Sequence, residues 1–422
     1  MQHFAVRGNP RVGSVRRYVS KHGVRKASCT VLAAAAAAAA VLTPSVALAA
    51  PAAPGTYAYV ANTGQNKVEV FDTATNALVT SIDTGAFSGP LQVAAGRNGK
   101  KVYVTERDSG AVSAIDALTN TVVAEIPTGN GTPESVAISP DDSRAYVTVE
   151  GNGPANRVVA INTATDAVVG TLETGTDTLP NGLAVSPDGK RLYVAYRGAG
   201  VVAVIDSATM TLITTVDVGP SAPRKVAVSP SGARVYVTEN TSGEVSVIDT
   251  TTNTVVVPIP VNQGLDGVKV SLDGKRVYVA DRNNARVAVI DAATNSVVTS
   301  IPTTGDPAEM AVSPTGARLY VSHPNGTQGV SVIDLATNSV SATVDSPEGA
   351  PIGIDLGSVP GTSKVSCPAG SVLTGGGFGS TGPAPDQLVS RPVPGTNDWE
   401  VNGQNRTRDD VTLTPYAVCA TP

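Results

Sequence analysis

Pro223-Arg-Lys-Val-Ala-Val228, Arg234-Val-Tyr-Val237, Val245-Ser-Val-Ile-Asp249 and Thr254-Val-Val-Val-Pro-Ile259 decide how this chain folds. Each run is short, rich in β-branched residues and alternates in the two-residue period of a strand. Between the first two lies Ser229-Pro-Ser-Gly232, where Pro presets φ and Gly supplies a positive φ at the end of the turn. After the third comes Asp249-Thr-Thr-Thr-Asn253. Its Asp can accept hydrogen bonds from amides two residues on, and its Asn tolerates the left-handed conformation. The unit is therefore four short strands, A to D, joined by tight turns.

The unit recurs. Tyr-Val is found at Tyr59, Tyr103, Tyr146, Tyr193, Tyr236, Tyr278 and Tyr320, spaced 44, 43, 47, 43, 42 and 42 residues. Turns like that of Asp249 follow at Asp72, Asp116, Asn162, Asp206, Asp291 and Asp334, and the Ser-Pro-Asp-Gly type is clearest at Ser186–Gly189. A period of about 43 residues with four strands is the length of a propeller blade. The first unit starts at strand B, with Tyr57–Ala61, and lacks a strand A; the last is followed by a spare one, Pro351-Ile-Gly-Ile-Asp-Leu356. The spare strand can complete the first blade, closing the ring and protecting its edges. The expected fold is all-β: a seven-bladed β-propeller with a small C-terminal disulfide-closed β-domain.

Tyr59-Val-Ala-Asn62, Tyr103-Val-Thr105 and Tyr236-Val-Thr-Glu-Asn240 resemble the YVTN-type β-propeller repeat of exported prokaryotic surface and periplasmic proteins. The resemblance covers about residues 57–357 and implies fold rather than activity. No Trp-Asp ends any strand C, and the sole Trp, Trp399, lies outside the repeats, which disfavours a WD40 propeller.

The remaining organisation follows from composition. Residues 1–49 carry seven basic residues and no acid, then an alanine-rich apolar run and an A-x-A site at Ala47-Leu-Ala49, as in a signal peptide. Arg16-Arg17 leaves the twin-arginine and Sec routes open. Removing this leader leaves 23 basic against 35 acidic residues, a balance against nucleic-acid or anionic-membrane binding. The expected domains are a signal peptide 1–49, a linker 50–56, the propeller 57–357 and a C-terminal β-domain 358–422. That last segment is small for a robust core. Cys367 and Cys419, the two cysteines left without the leader, are expected to form a disulfide there. Trp399 is either its core or a sugar-stacking platform. The expected product is a secreted monomer without a membrane anchor.

Chain direction puts the A–B and C–D turns on one face and the B–C and D–A loops on the other. The second set diverges between copies, so function is expected there. Strand A starts near the central channel on that face with Glu134, Asn181, Arg224 and Asp266, followed one residue on by Lys225 and Glu309. Ends of strand B add Glu106, Arg107, Tyr196, Arg197, Glu239, Asp281, Arg282 and His323. These residues are expected to form a mixed polar rim open to solvent and available to a partner. A sharper alternative has Glu134, Asn181 and Asp266 converging on a calcium-type cation, since such hard ions take oxygen ligands and propeller lactonases place a metal at such a mouth.

Other signals fail. His323 is the one histidine after the leader, which excludes a multi-histidine zinc site, and it reads as an exposed loop residue. No Cys-x-x-Cys-His is present, so covalent haem is excluded. Gly377-x-Gly379-x-x-Gly382 matches a dinucleotide fingerprint but is followed by no helical pattern. The sequence therefore points first to a non-catalytic scaffold presenting its variable face to a protein or cell-envelope glycan. The alternative is a metal-dependent, lactonase-like hydrolase at the channel mouth.

Overall fold

A computed structural model describes residues 55–359 apart from 152–155, 326–328 and 347–348, together with the backbone of five strands between 362 and 420. The leader expected at 1–49 and Cys367 lie outside the described residues.

The repeats form seven four-stranded sheets. The blade of the opening motif has strand A at Pro223–Val228, B at Arg234–Glu239, C at Glu244–Asp249 and D at Thr254–Pro260, each antiparallel to the next. Strands B and C are buried almost throughout because a neighbouring blade packs on either side, whereas D alternates at the exposed outer edge. Closure is as the sequence requires: Pro351–Val359 lies antiparallel to Gly55–Asn62, with Tyr59 opposite Asp355. Numbering blades by their strand B, blade 1 thus joins both ends of the repeat region.

The repeated side chains bind blades to each other. Arg318 and Tyr320 of blade 7 both donate to the Thr73 carbonyl in the C–D turn of blade 1, at 2.9 and 3.3 Å. Arg144 and Tyr146 of blade 3 make the same pair of bonds to Ser207 of blade 4, the next repeat in sequence and its neighbour in the ring. In blades 3, 4 and 7 the Arg of the Arg-x-Tyr pattern therefore clamps the next blade, whereas Arg234 and Arg276 pair with Asp249 and Asp291 of their own blades; the strand-B tyrosines are buried throughout. The turns they grip are built as the sequence predicts: Asp116 accepts from the amides of Leu118 and Thr119, both at 2.9 Å. Left-handed Asn120 then ends the turn, with φ 53°.

Beyond the propeller, Thr362–Ser366, Asp398–Gln404 and Gln387–Pro392 form a three-stranded sheet, and Val372–Thr381 pairs with Thr412–Ala420. Cys419 stands opposite Leu373 in that last ladder.

Candidate functional site at the channel mouth

The mouth is made by a ring of irregularities. In blade 5, Pro223 pairs with Glu239 and Val226 with Val237, so Arg224 and Lys225 lie in a bulge. Similar register shifts fall at Pro90/Val93, Pro133/Ser135, Pro180/Leu183 and Leu265/Val268. A bulge turns side chains out of the regular pleat. Here it brings the first two residues after the blade-leading Pro or Leu to the channel.

Two kinds of blade make up this ring, alternating from blade 3 onward. In blades 3 and 5 the hydroxyls of Thr148 and Thr238 accept the amides of Ser135 and Lys225. They donate at 2.6 and 2.7 Å to the carbonyls of Asn181 and Asp266 in the following blade. Blades 4 and 6 instead have Ala195 and Ala280 on strand B, with Gly182 and Gly267 in the bulge. A Cβ on Gly182 would lie 2.5 Å from the Arg224 carbonyl, so the close lashing of neighbouring inner strands needs glycine there.

The first bulge position divides the mouth into two arcs. Blades 3 to 6 supply Glu134, Asn181, Arg224 and Asp266; blades 7, 1 and 2 supply Ala308, Ile352 and Leu91. Asn181 Nδ2 donates to Glu134 Oε2 at 3.2 Å. Asp266 is buried between two guanidinium groups, with Arg224 Nε 2.8 Å from Oδ1 and Arg282 3.3 Å from Oδ2. Burial pushes the Asp266 carboxyl up, against the pull of Arg224, Lys225 and Arg282. Arg282 continues to Asp306 at 2.8 Å, which also accepts from Asn325.

Glu134 differs from these acids. No cation touches it among the described residues, whereas Asp266, Asp306, Glu150 and Glu309 are all ion-paired. Burial raises its carboxyl above the usual range, outweighing the more distant Lys225, Arg197 and Arg107. One residue deeper, Lys225 Nζ lies 2.8 Å from Glu309 Oε1, and Gln92 donates to the same oxygen at 3.1 Å. Burial raises the Glu309 carboxyl, but Lys225, Lys269 and Arg224 more than reverse this and hold it low.

The expected rim needs correction. Glu106, Tyr196, Glu239, Asp281 and His323 are all buried, the last two completely. They occupy one position, three residues after the strand-B Tyr, whose side chain turns back onto strand C and the D–A loop. Glu239 accepts from Ser221, Ser242 and Ser246. Asp281 is held by Arg286 at 2.7 Å and Asn284 at 2.8 Å. His323 is not an exposed loop residue: its Nε2 is 2.8 Å from Ser331 Oγ, and burial lowers the imidazole despite nearby Asp306 and Gly305. Arg107 and Arg197 do reach solvent, the latter held by Glu150 at 3.0 Å. The alternation of strand B carried the signal for this burial.

Residues 114–258 match the seven-bladed lactonase propeller. That stretch contains Glu134, Asn181, Arg224 and Lys225. Residues 187–340 also match the cytochrome D1 haem domain, and it is these models rather than the YVTN repeat that match. No curated protein matches the chain. Among solved structures, a functionally unknown protein from Desulfotomaculum acetoxidans is 21% identical, covering 72% of this chain and 99% of its own, with TM-score 0.63. A periplasmic gluconolactonase from Pseudomonas aeruginosa is 20% identical over 72% of this chain and 100% of its own, TM-score 0.61. A putative 6-phosphogluconolactonase from Bacteroides uniformis is 19% identical over 71% and 99%, TM-score 0.58. At these identities the structures establish the seven-bladed fold.

The lactonase match overturns the expectation of a non-catalytic scaffold, which treated the mouth as a surface for a partner. The donors do not fit two cofactors. A calcium ion needs oxygen atoms free to face it, and Asp266 is already held by two guanidinium groups. Among the described residues no three His, Cys, Asp or Glu side chains cluster as a metal site. His323, packed against Ser331 between strands, does not present an axial nitrogen to a haem in the channel.

Proposed function

We propose that the chain is a lactone hydrolase acting at the channel mouth, with Glu134 as general base. The observation that carries this is the Glu134 carboxyl itself: raised by burial, free of any contacting cation, and oriented by Asn181. A base is most useful when its pKa lies near the working pH. The lactonase match over the same residues supports the choice of reaction.

In this reading Glu134 takes a proton from water as the oxygen adds to the lactone carbonyl. The tetrahedral oxyanion then collapses, the ring C–O bond breaks, and the alkoxide takes up the proton to give a hydroxy acid. Arg224 stands next along the arc. A guanidinium carries five donors, so Arg224 can face the oxyanion while its Nε stays beside Asp266. Ala308, Ile352 and Leu91 would cover the hydrocarbon side of the ring. Sugar-acid lactones are the first substrates to try, since two structural neighbours are a gluconolactonase and a putative 6-phosphogluconolactonase. Export and a Cys367–Cys419 disulfide belong to the same proposal and rest on the leader and the cysteine count.

The test is acid release from gluconolactone, corrected for spontaneous hydrolysis. Glu134→Gln should lower kcat by about 10²- to 10⁴-fold while leaving the melting temperature near wild type. The wild-type rate should rise with pH through the raised carboxyl pKa, and this limb should vanish in the variant. Full activity in Glu134→Gln would remove the assignment.

A further inference from the structure

The Gln92–Glu309–Lys225 contacts join blades 2, 7 and 5 across the channel. Beneath this brace lies a cavity of about 640 Å³ that reaches the A–B turns at Pro140, Pro187 and Pro230. Its lining contains none of Glu134, Asn181, Arg224 or Asp266, so the brace separates it from the mouth. The size is that of a small-ligand pocket.

Most of its lining residues carry apolar side chains, although polar atoms, backbone included, make up the larger part of its exposed wall. At the fourth residue after the blade-leading Pro, blades 2 to 5 line it with Ala94, Ala137, Ala184 and Ala227, and blade 7 has Ala311 at the same position. Blades 6 and 1 break this ring with Lys269 and Asp355, either side of Ala311. No side-chain hydrogen bond or ion pair joins Lys269 to any described residue, although it is close enough to act electrostatically on Asp355 and Glu309. Asp355 accepts from the Ala95 amide at 2.9 Å through Oδ2, and the Leu356 backbone also hydrogen-bonds its carboxylate, but no cation contacts it among the described residues. A cation and an anion thus line the same cavity without pairing, and charges removed from water need partners.

We propose that this chamber binds a small zwitterion with an apolar body, an α-amino acid with a hydrocarbon side chain being the simplest form. The carboxylate would meet Lys269, the ammonium Asp355, and the side chain the alanine and valine wall. A plain carboxylate would meet Lys269 but leave Asp355 without a cationic partner. A plain amine would leave Lys269 unpaired. This inference stands apart from the hydrolase reading, because the chamber shares no residue with the Glu134 arc.

The experiment is equilibrium dialysis of the full chain with leucine, 4-methylpentanoate and 3-methylbutylamine. Leucine should bind saturably, and each analogue at least tenfold more weakly. Lys269→Met should weaken leucine at least tenfold, as should Asp355→Asn, while Glu134→Gln leaves binding unchanged. Absence of saturable leucine binding at millimolar concentration would overturn the proposal. So would equal binding of either analogue, which needs no variant, or wild-type affinity in a folded Lys269→Met protein.

Discussion

The two ends of a blade are built on opposite principles. At the C–D turn all seven blades use one device: an Asp or Asn accepting two successive amides, as at Asp72, Asn162 and Asp334. At the other end, the strand-B position three residues after the Tyr holds Asn62, Glu106, Val149, Tyr196, Glu239, Asp281 and His323, seven residues with almost as many solutions. The first end is solvated, its Asp or Asn closes two hydrogen bonds within the turn, and in several copies the neighbouring blade grips the turn backbone in the same way, so each copy needs the same residue. The second end is buried, and each residue answers to whatever its own strand C and D–A loop provide. Divergence there records local packing as much as function. Only the bulge one strand inward exposes its variation to the channel.

Three substitutions sharpen the contrast. Asp266→Ala should have the largest effect, since it leaves two guanidinium groups around an empty position; loss of one partner from a buried ion pair costs about 3 to 5 kcal/mol. Urea unfolding reads this directly, and a loss below that of a turn variant would show that the mouth charges are held by solvent instead.

Glu106→Gln should come next, with a sign that depends on pH. Burial pushes this carboxyl up to about 7, the hydroxyls of Ser113, Ser88 and Thr84 opposing only in part. A carboxyl raised on folding binds protons more tightly in the native state. Stability therefore falls as pH rises from the ordinary carboxyl value near 4.5 to about 7. The cost above that window is about 3 kcal/mol, at about 1.36 kcal/mol per unit. Glu106→Gln escapes it, so the variant should melt higher than wild type at pH 8 and converge with it below pH 4.5. Parallel melting curves would mean that the buried carboxyl is compensated in both states.

The smallest effect is expected from Asp116→Ala, which removes the acceptor for two turn amides already near water. A loss of about 1 kcal/mol is in keeping with solvated hydrogen bonds. A similar loss from Asn162→Ala would confirm that the turns are interchangeable, and unequal losses would break that equivalence.

The architecture was legible because it is periodic. Seven Tyr-Val pairs and seven turns set blade number, and the missing first strand A set the closure seen between Gly55–Asn62 and Pro351–Val359. The site was legible in part. Counting from the blade-leading Pro located Glu134, Asn181, Arg224 and Asp266 at the mouth, because the same bulge recurs from copy to copy. It did not tell a free carboxylate from a paired one. His323 and Glu239 were misplaced because a strand end next to a loop reads as exposed unless side-chain direction is followed through the pleat.

By itself, then, the sequence determined what repeats: strand period, turn chemistry, blade count and the alternation of Thr with Ala that accompanies bulky or glycine residues in the bulge. These depend on contacts within a blade or with the next one, and every copy meets the same neighbours. Only the tertiary structure decided what crosses the ring. That Glu309 braces three blades and that Lys269 and Asp355 share a chamber depend on closing the circle, whereas the pairing of Asp266 with Arg224 and Arg282 was decided by side-chain packing of blades 5 and 6. Closure brings together side chains from separate blades whose charges then select their partners by distance alone.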